Sequence, residues 1–128
     1  MILVDTSVWI DWSNRPETRE AQELARLLDT DEVATTDVVI AEVLQGTRTE
    51  ARFAEFSELM GGLHYLPASR ETWIRAAELS FQLMRRGFAT PLSDLVIATV
   101  ALDNDVAVFA RDEDFSRVVG LKLHEVGS

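Results

Sequence analysis

The sequence predicts an α/β fold, a parallel sheet of about five strands flanked by helices on both faces. Short apolar runs at residues 2–4 and 106–110 have the length of buried strands. Between such runs the apolar residues recur at helical spacing, so that strands alternate with helices. Each change of pattern is marked by a cap or turn residue, such as Gly46, Ser69 or Gly87. No repeat, low-complexity stretch or linker interrupts the 128 residues, which predicts one domain over 1–128.

Ile2, Leu3 and Val4 form the first strand, with Asp5 at its carboxyl end and Thr6 and Ser7 behind it. Residues 8–12 read as a short helix or turn. A helix follows over about 17–28, with Ala21, Leu24, Ala25 and Leu28 at helical spacing. Residues 32–34 are a short strand. Thr35, Thr36 or Asp37 caps a helix over 38–44 that Gly46 ends. Residues 50–60 are helical, with Phe53, Phe56 and Met60 on one side and Gly61-Gly62 as the stop. Residues 63–66 are a strand closed by Pro67. Ser69 caps a long helix over about 70–86, whose inner stripe reads Trp73, Ala76, Ala77, Ser80, Leu83 and Met84. Pro91 and Ser93 open a helix to about Leu102 that is apolar nearly all round and therefore buried. After the turn at residues 103–105 comes the apolar strand 106–110, read as central. A short helix over 112–119 and a last strand over 121–126 complete the chain.

Composition narrows the function classes. The chain is 47% hydrophobic and 27% charged, which excludes a disordered segment. No apolar run approaches the roughly 18–20 residues of a membrane span, and no basic-then-apolar leader opens the sequence. The absence of cysteine removes thiol nucleophiles and cysteine zinc sites, and it suits a reducing cytoplasm. A formal net charge of −10 opposes plain electrostatic binding of nucleic acid. Divalent cations, or a basic partner chain, would reverse that sign locally.

Most of the 22 acids fall on helix faces or turns, Glu17, Glu20, Glu23, Asp29 and Asp31 among them. Four differ. Asp5 and Asp112 end apolar strands, and ligands of open parallel sheets bind at that rim. Asp94 starts a buried helix. Glu42 lies inside Val38-Val39-Ile40-Ala41-Glu42-Val43-Leu44 with no basic residue three or four positions away. Such a carboxylate is paired, protonated, metal-bound or exposed on a narrow polar strip. Asp5, Asp94 and Asp112 also fit ordinary turn or capping roles, and Asp114 could share either role of Asp112. Brought together without a cation, such acids repel by roughly 3 kcal/mol per pair at ~6 Å and an effective dielectric of ~20. All-oxygen carboxylate sites select hard cations such as Mg²⁺ or Mn²⁺. His64 and His124, the only imidazoles, lie in expected strands and read as structural.

Four segments together resemble the PIN domain, and within it the VapC-type toxins of bacterial toxin–antitoxin pairs. They are Ile2-Leu3-Val4-Asp5-Thr6-Ser7, Val39-Ile40-Ala41-Glu42-Val43, Leu92-Ser93-Asp94-Leu95-Val96-Ile97-Ala98 and Val108-Phe109-Ala110-Arg111-Asp112-Glu113-Asp114-Phe115. The resemblance implies a Mg²⁺- or Mn²⁺-dependent endoribonuclease, neutralised by a cognate VapB-type antitoxin and acting on tRNA or rRNA. It places the metal-site and catalytic acids at Asp5, Glu42, Asp94 and Asp112. Direct metal contact falls to Asp5, Asp94 and Asp112, and accessory roles to Thr6, Ser7 and Asp114. One residue departs from the pattern: Ala110 stands where the family commonly carries Thr or Ser. Hydrolysis by metal-activated water would leave 5′-phosphate and 3′-hydroxyl ends. Arg15, Arg48, Arg85, Arg86 and Arg111 are candidate substrate contacts. Trp9, Trp12, Phe53 and Phe56 suit the core, or the dimer and antitoxin contacts of the family. The acidic surface suits a basic antitoxin arm.

Three other readings compete. A catalytically silent PIN-like binding module would keep the fold without metal or cleavage. A receiver-like phosphoacceptor also places Asp at a strand end, but this chain lacks paired N-terminal acids and carries its sole lysine, Lys122, in the last strand. Another metal-dependent phosphodiesterase, a phosphatase or DNA nuclease, would use the same acids.

Overall fold

The structure is a computed structural model in which residues 1–127 are described. Four parallel strands form the sheet: β1 (Ile2–Val4), β2 (Val33–Thr35), β3 (His64–Tyr65) and β4 (Ala107–Phe109), in the order β3-β2-β1-β4. Residue 2 faces Val33 on one side and Ala107 on the other, so β1 is interior and wholly buried. Parallel neighbours require crossover connections. These are supplied by α1 (Thr6–Asn14), α2 (Arg19–Asp29), α3 (Asp37–Gln45), α4 (Glu50–Gly61), α5 (Arg70–Arg85) and α6 (Leu92–Asn104). A 3₁₀ turn (Glu113–Arg117) follows β4.

The expected α/β class and parallel sheet are observed, with four strands in place of about five. The segment read as a last strand makes a single parallel bridge, Val108 to Leu123. Val108 uses both backbone groups there, donating to Lys122 O and accepting from His124 N. β4 is three residues long, so its outer edge offers little more than this one register position. Residues 8–12, read as a short helix or turn, lie within the nine-residue α1.

α6 is apolar all round, as expected, and residues Leu95 to Ala101 are buried without a break. It packs against α5, and Arg75 of α5 clasps Asp103 of α6. The stripe expected on α5 is rotated. Its buried positions are Thr72, Ala76 and Leu83, whereas Trp73, Ile74, Phe81 and Met84 face solvent. Ser69 and Thr72 cap one another, which turns Thr72 inward and carries Trp73 outward. α2 shows a similar shift: Leu27 is buried and Ala25 exposed, and Glu23 joins Ala21 and Leu24 on the inner face. Phe53 of α4 is likewise exposed, while Phe56 and Met60 are buried.

Candidate functional site

Four elements deliver acids to the carboxyl edge of the sheet. Asp5 leaves β1, and its backbone N–H donates to Phe109 O at 2.8 Å, holding the ends of β1 and β4 together. It then caps α1, where its Oδ2 accepts from Ser7 N at 3.1 Å and Ser7 Oγ at 2.6 Å. The capping role read from the sequence is thus real. It coexists with burial that raises the Asp5 pKa above 3.8, against the lowering effect of the Ser7 bonds and with help from the Asp112 charge.

Thr6, the next residue, points to α3: its Oγ1 donates to Glu42 Oε1 at 2.8 Å. Glu42 is half-buried on that helix, so it is not the solvent-strip acid that its pattern also allowed. Asp94 stands in the first turn of α6, half-buried. Burial pushes its pKa up to about 7, and the charges of Asp5, Asp112, Glu42 and Asp114 add to the rise. Asp112 caps the 3₁₀ turn by accepting from Asp114 N at 2.9 Å. Carboxylate oxygens of Asp94, Asp112 and Asp114 lie within 4.8 Å of one another. Asp5 and Glu42 lie outside this tight group and act on Asp94 through their charge.

Among the described residues, no cation pairs with Asp5, Glu42, Asp94 or Asp112; only Asp114 has one, Arg117 at 3.1 Å. A partly buried group of like charges with oxygen donors alone fits a hard divalent cation. Thr6 and Ser7, expected near a metal, bond to Glu42 and Asp5 and set their orientation.

Sequence reasoning missed Asp11. Its side chain is fully buried on α1; Oδ1 accepts from Arg111 Nη1 at 3.0 Å, and Oδ2 has no partner. The same arginine's backbone N–H donates to Ser7 Oγ at 3.3 Å. Asp11, Arg111, Ser7 and Asp5 therefore form one chain of contacts tying the exits of β1 and β4. Arg111, expected to meet substrate, has its guanidinium engaged with Asp11. The signal was masked: Asp11 is the one acid in Val8-Trp9-Ile10-Asp11-Trp12, but Arg15 four positions on offers it an ordinary helix pair of the kind Glu42 lacks.

Glu23 corrects a second reading. It is 9% exposed, where a solvated helix face was expected. Arg26 holds it with two bonds of 2.7 and 3.0 Å, and His124 with one of 2.5 Å. The Arg26 bonds, ahead of the His124 contact, hold its pKa down at about 2 against the opposing effect of burial. His124 also stacks edge-on with Phe109, and His64 bonds to Asp31 O, so both imidazoles make structural contacts.

The PIN domain family model matches residues 2–121. Ribonuclease VapC5 of Mycobacterium tuberculosis is 30% identical over 130 aligned positions, covering 97% of this chain and 92% of its own. VapC ribonuclease Mb1587 of Mycobacterium bovis is 29% identical over 119, covering 90% and 89%. Among solved structures, VapBC2 from Rickettsia felis, bound to a DNA fragment from its promoter, superposes with a TM-score of 0.78 at 20% identity, covering 97% of this chain and 98% of that one. FitAcB from Neisseria gonorrhoeae does so at 0.72 and 20%, covering 98% and 97%. These structural likenesses bear on the fold alone. With the family match spanning nearly the whole chain, the protein belongs to the PIN domain family and is homologous to the VapC ribonucleases.

Proposed function

We propose that this chain, as one PIN domain, is the toxin of a toxin–antitoxin pair, an endoribonuclease that uses Mg²⁺ or Mn²⁺. The observation that carries the reading is a group of acids in which only Asp114 meets a cation, with the Asp94 carboxyl pushed up to about 7 by burial and by four neighbouring carboxylates. Unneutralised charge of this kind is costly to fold, and functional sites are where it is retained. The ribonuclease names of the homologous chains supply the reaction class.

Asp5, Asp94 and Asp112 would hold the ion; the oxygens of Asp94 and Asp112 lie in one group with that of Asp114, and Asp5 stands outside it, so it would join by turning toward the ion or through water. A divalent ion bound there lowers the pKa of water and stabilises charge developing on the phosphoryl oxygens. Ser7 keeps the Asp5 carboxylate turned toward the site through Oδ2. Thr6 fixes Glu42, which serves as the acceptor orienting the attacking water. The RNA 2′-hydroxyl takes no part, so products carry 5′-phosphate and 3′-hydroxyl ends.

The partner is a VapB-type antitoxin, as in the solved VapBC complexes that share the fold. A homodimer and a cytoplasmic location complete the reading. Among the described residues no helix is long and apolar enough to cross a membrane.

The test is cleavage of tRNA, rRNA and single-stranded DNA by purified protein in Mg²⁺, Mn²⁺ or EDTA, beside Asp94→Asn. Metal-dependent RNA cuts ending in 5′-phosphate, abolished in the variant, are the expected result. A 2′,3′-cyclic phosphate product, or equal cutting in EDTA, would overturn it.

A further inference from the structure

Beside the acids, between α1, α3 and α4, lies a cavity of about 470 Å³. This falls within the roughly 300–1,000 Å³ of small-ligand sites. Glu42 belongs to its lining, so cavity and acid cluster share a wall. Ile10, 49% exposed, gives it an apolar side backed by the buried Trp9, Val43 and Phe56, and Trp9 keeps its indole N–H buried without an acceptor. Arg48 and Arg52 also line it, on a chain whose net charge is −10.

The two arginines differ in restraint. Arg52 donates to Ser13 Oγ at 2.8 Å, and its guanidinium sits 5.2 Å from the Phe56 ring centre. Its ion pair with Glu55 is long, at 3.6 Å, and exposed. Arg48 is exposed and has no hydrogen-bond or ion-pair partner among the described residues. Guanidinium forks match phosphate geometry, and an unpaired one beside an acid cluster sacrifices nothing by binding an anion. A basic peptide arm would suit the acids but meet like charge here. A polyanion that also offers flat apolar faces matches both halves of the cavity.

We infer that the cavity between α1, α3 and α4 seats the nucleotide next to the scissile phosphate of single-stranded RNA, with Arg48 and Arg52 on its backbone phosphate and the apolar wall against its base. The position relative to the cut rests on the nuclease reading, and the binding rests on the cavity alone. Arg48 and Arg52 are substrate-positioning residues, and they do not touch the acids. Removing their guanidinium groups raises KM and leaves kcat unchanged, the mark of binding that is uniform between ground and transition states.

The experiment measures binding of a short mixed-sequence oligoribonucleotide to metal-free protein in EDTA, by fluorescence anisotropy across a salt series. Arg48→Ala with Arg52→Ala should weaken binding about tenfold or more. The slope of log affinity against log salt should become shallower by about 0.7 for each phosphate that is no longer neutralised. Arg48→Ala alone keeps the test readable should the double variant misfold, because Arg48 holds nothing in the fold.

Gly46 also lines the cavity, and it adopts an ordinary φ of −77°. A Cβ there would meet only backbone oxygens at 3.6 Å, so Gly46→Leu narrows the cavity without strain or change of charge. It too should weaken RNA binding. Unchanged RNA affinity in folded Arg48→Ala and Gly46→Leu proteins overturns the inference. So does failure to bind a VapB-type antitoxin peptide with RNA binding intact, which would make the cavity a protein interface. Asp94→Asn separates the two readings. If it binds RNA normally while wild type fails to cut any RNA, the nuclease assignment falls and the cavity stands.

Discussion

Two acid-bearing regions of this molecule meet burial in opposite ways. Around Glu23 a carboxylate is met by Arg26 and His124, and its pKa falls to about 2. Around Asp94 a carboxylate is met by four others, and its pKa climbs to about 7. Both are carboxylates withdrawn from water by helices against the same sheet. The difference is the partner: it makes one cluster part of the scaffold and leaves the other able to take a cation. Charge neutralisation was within reach, since Arg111 borders Asp112 in sequence, yet its guanidinium turns to Asp11 instead.

Asp94→Asn should break the contrast most sharply. Cleavage should fall about 10³-fold, the equivalent of roughly 4 kcal/mol of charge stabilisation. Metal-free protein should melt higher at pH 8, because a source of repulsion is gone. A lower melting temperature would place Asp94 among the scaffold acids. Glu23→Gln is the mirror experiment. It should cost about 1–3 kcal/mol in chemical denaturation by weakening charged hydrogen bonds, with metal affinity unchanged.

The two clusters also predict opposite limbs of a pH profile. Between 3.8 and about 7 the folded protein holds a proton on Asp94 that the unfolded chain gives up. Metal-free stability should therefore decline as pH rises through that window, and Mg²⁺ should remove the decline. Glu23 contributes stability above about 4.5 that is lost as pH falls toward 2, and Glu23→Gln should lack this acid limb. Urea midpoints from pH 3 to 8, with and without Mg²⁺, check both signs.

Thr6→Val sharpens the comparison within the acid cluster, where Glu42 has a single neutral donor. Removing it should lower kcat about tenfold, the scale of one hydrogen bond to a charged group. The smallest effect is expected from Ala110→Thr, which restores the hydroxyl common in the family. A gain of about threefold in kcat/KM, with stability unchanged, would be measured against wild type.

The acids of the candidate site were legible because each broke a local rule. Asp5 and Asp112 stood where apolar strands stopped, Asp94 opened a helix with no polar face, and Glu42 lay on an apolar run with no basic neighbour. Glu23 broke no such rule. Arg26 three positions on reads as an ordinary surface pair, and His124, which makes the site a buried one, is 101 residues away. Asp11 was masked by Arg15, an apparent helix partner four positions on, while its actual partner lies 100 residues away. The α5 stripe misled for a different reason. Trp73 and Met84 are the large apolar residues there, but the Ser69–Thr72 cap sets the rotation of the helix, and size does not. The missing fifth strand was invisible because alternation in residues 121–126 says nothing about how short the receiving edge of β4 is.

The interior position of β1 carries a consequence for synthesis. Asp5 is made long before its partners, and its strand cannot close against residues 107–109, nor its carboxylate meet Asp112, until those later residues have left the ribosome. A growing chain therefore cannot assemble the acid cluster until the segment carrying Asp94, Asp112 and Asp114 has emerged and folded onto β1.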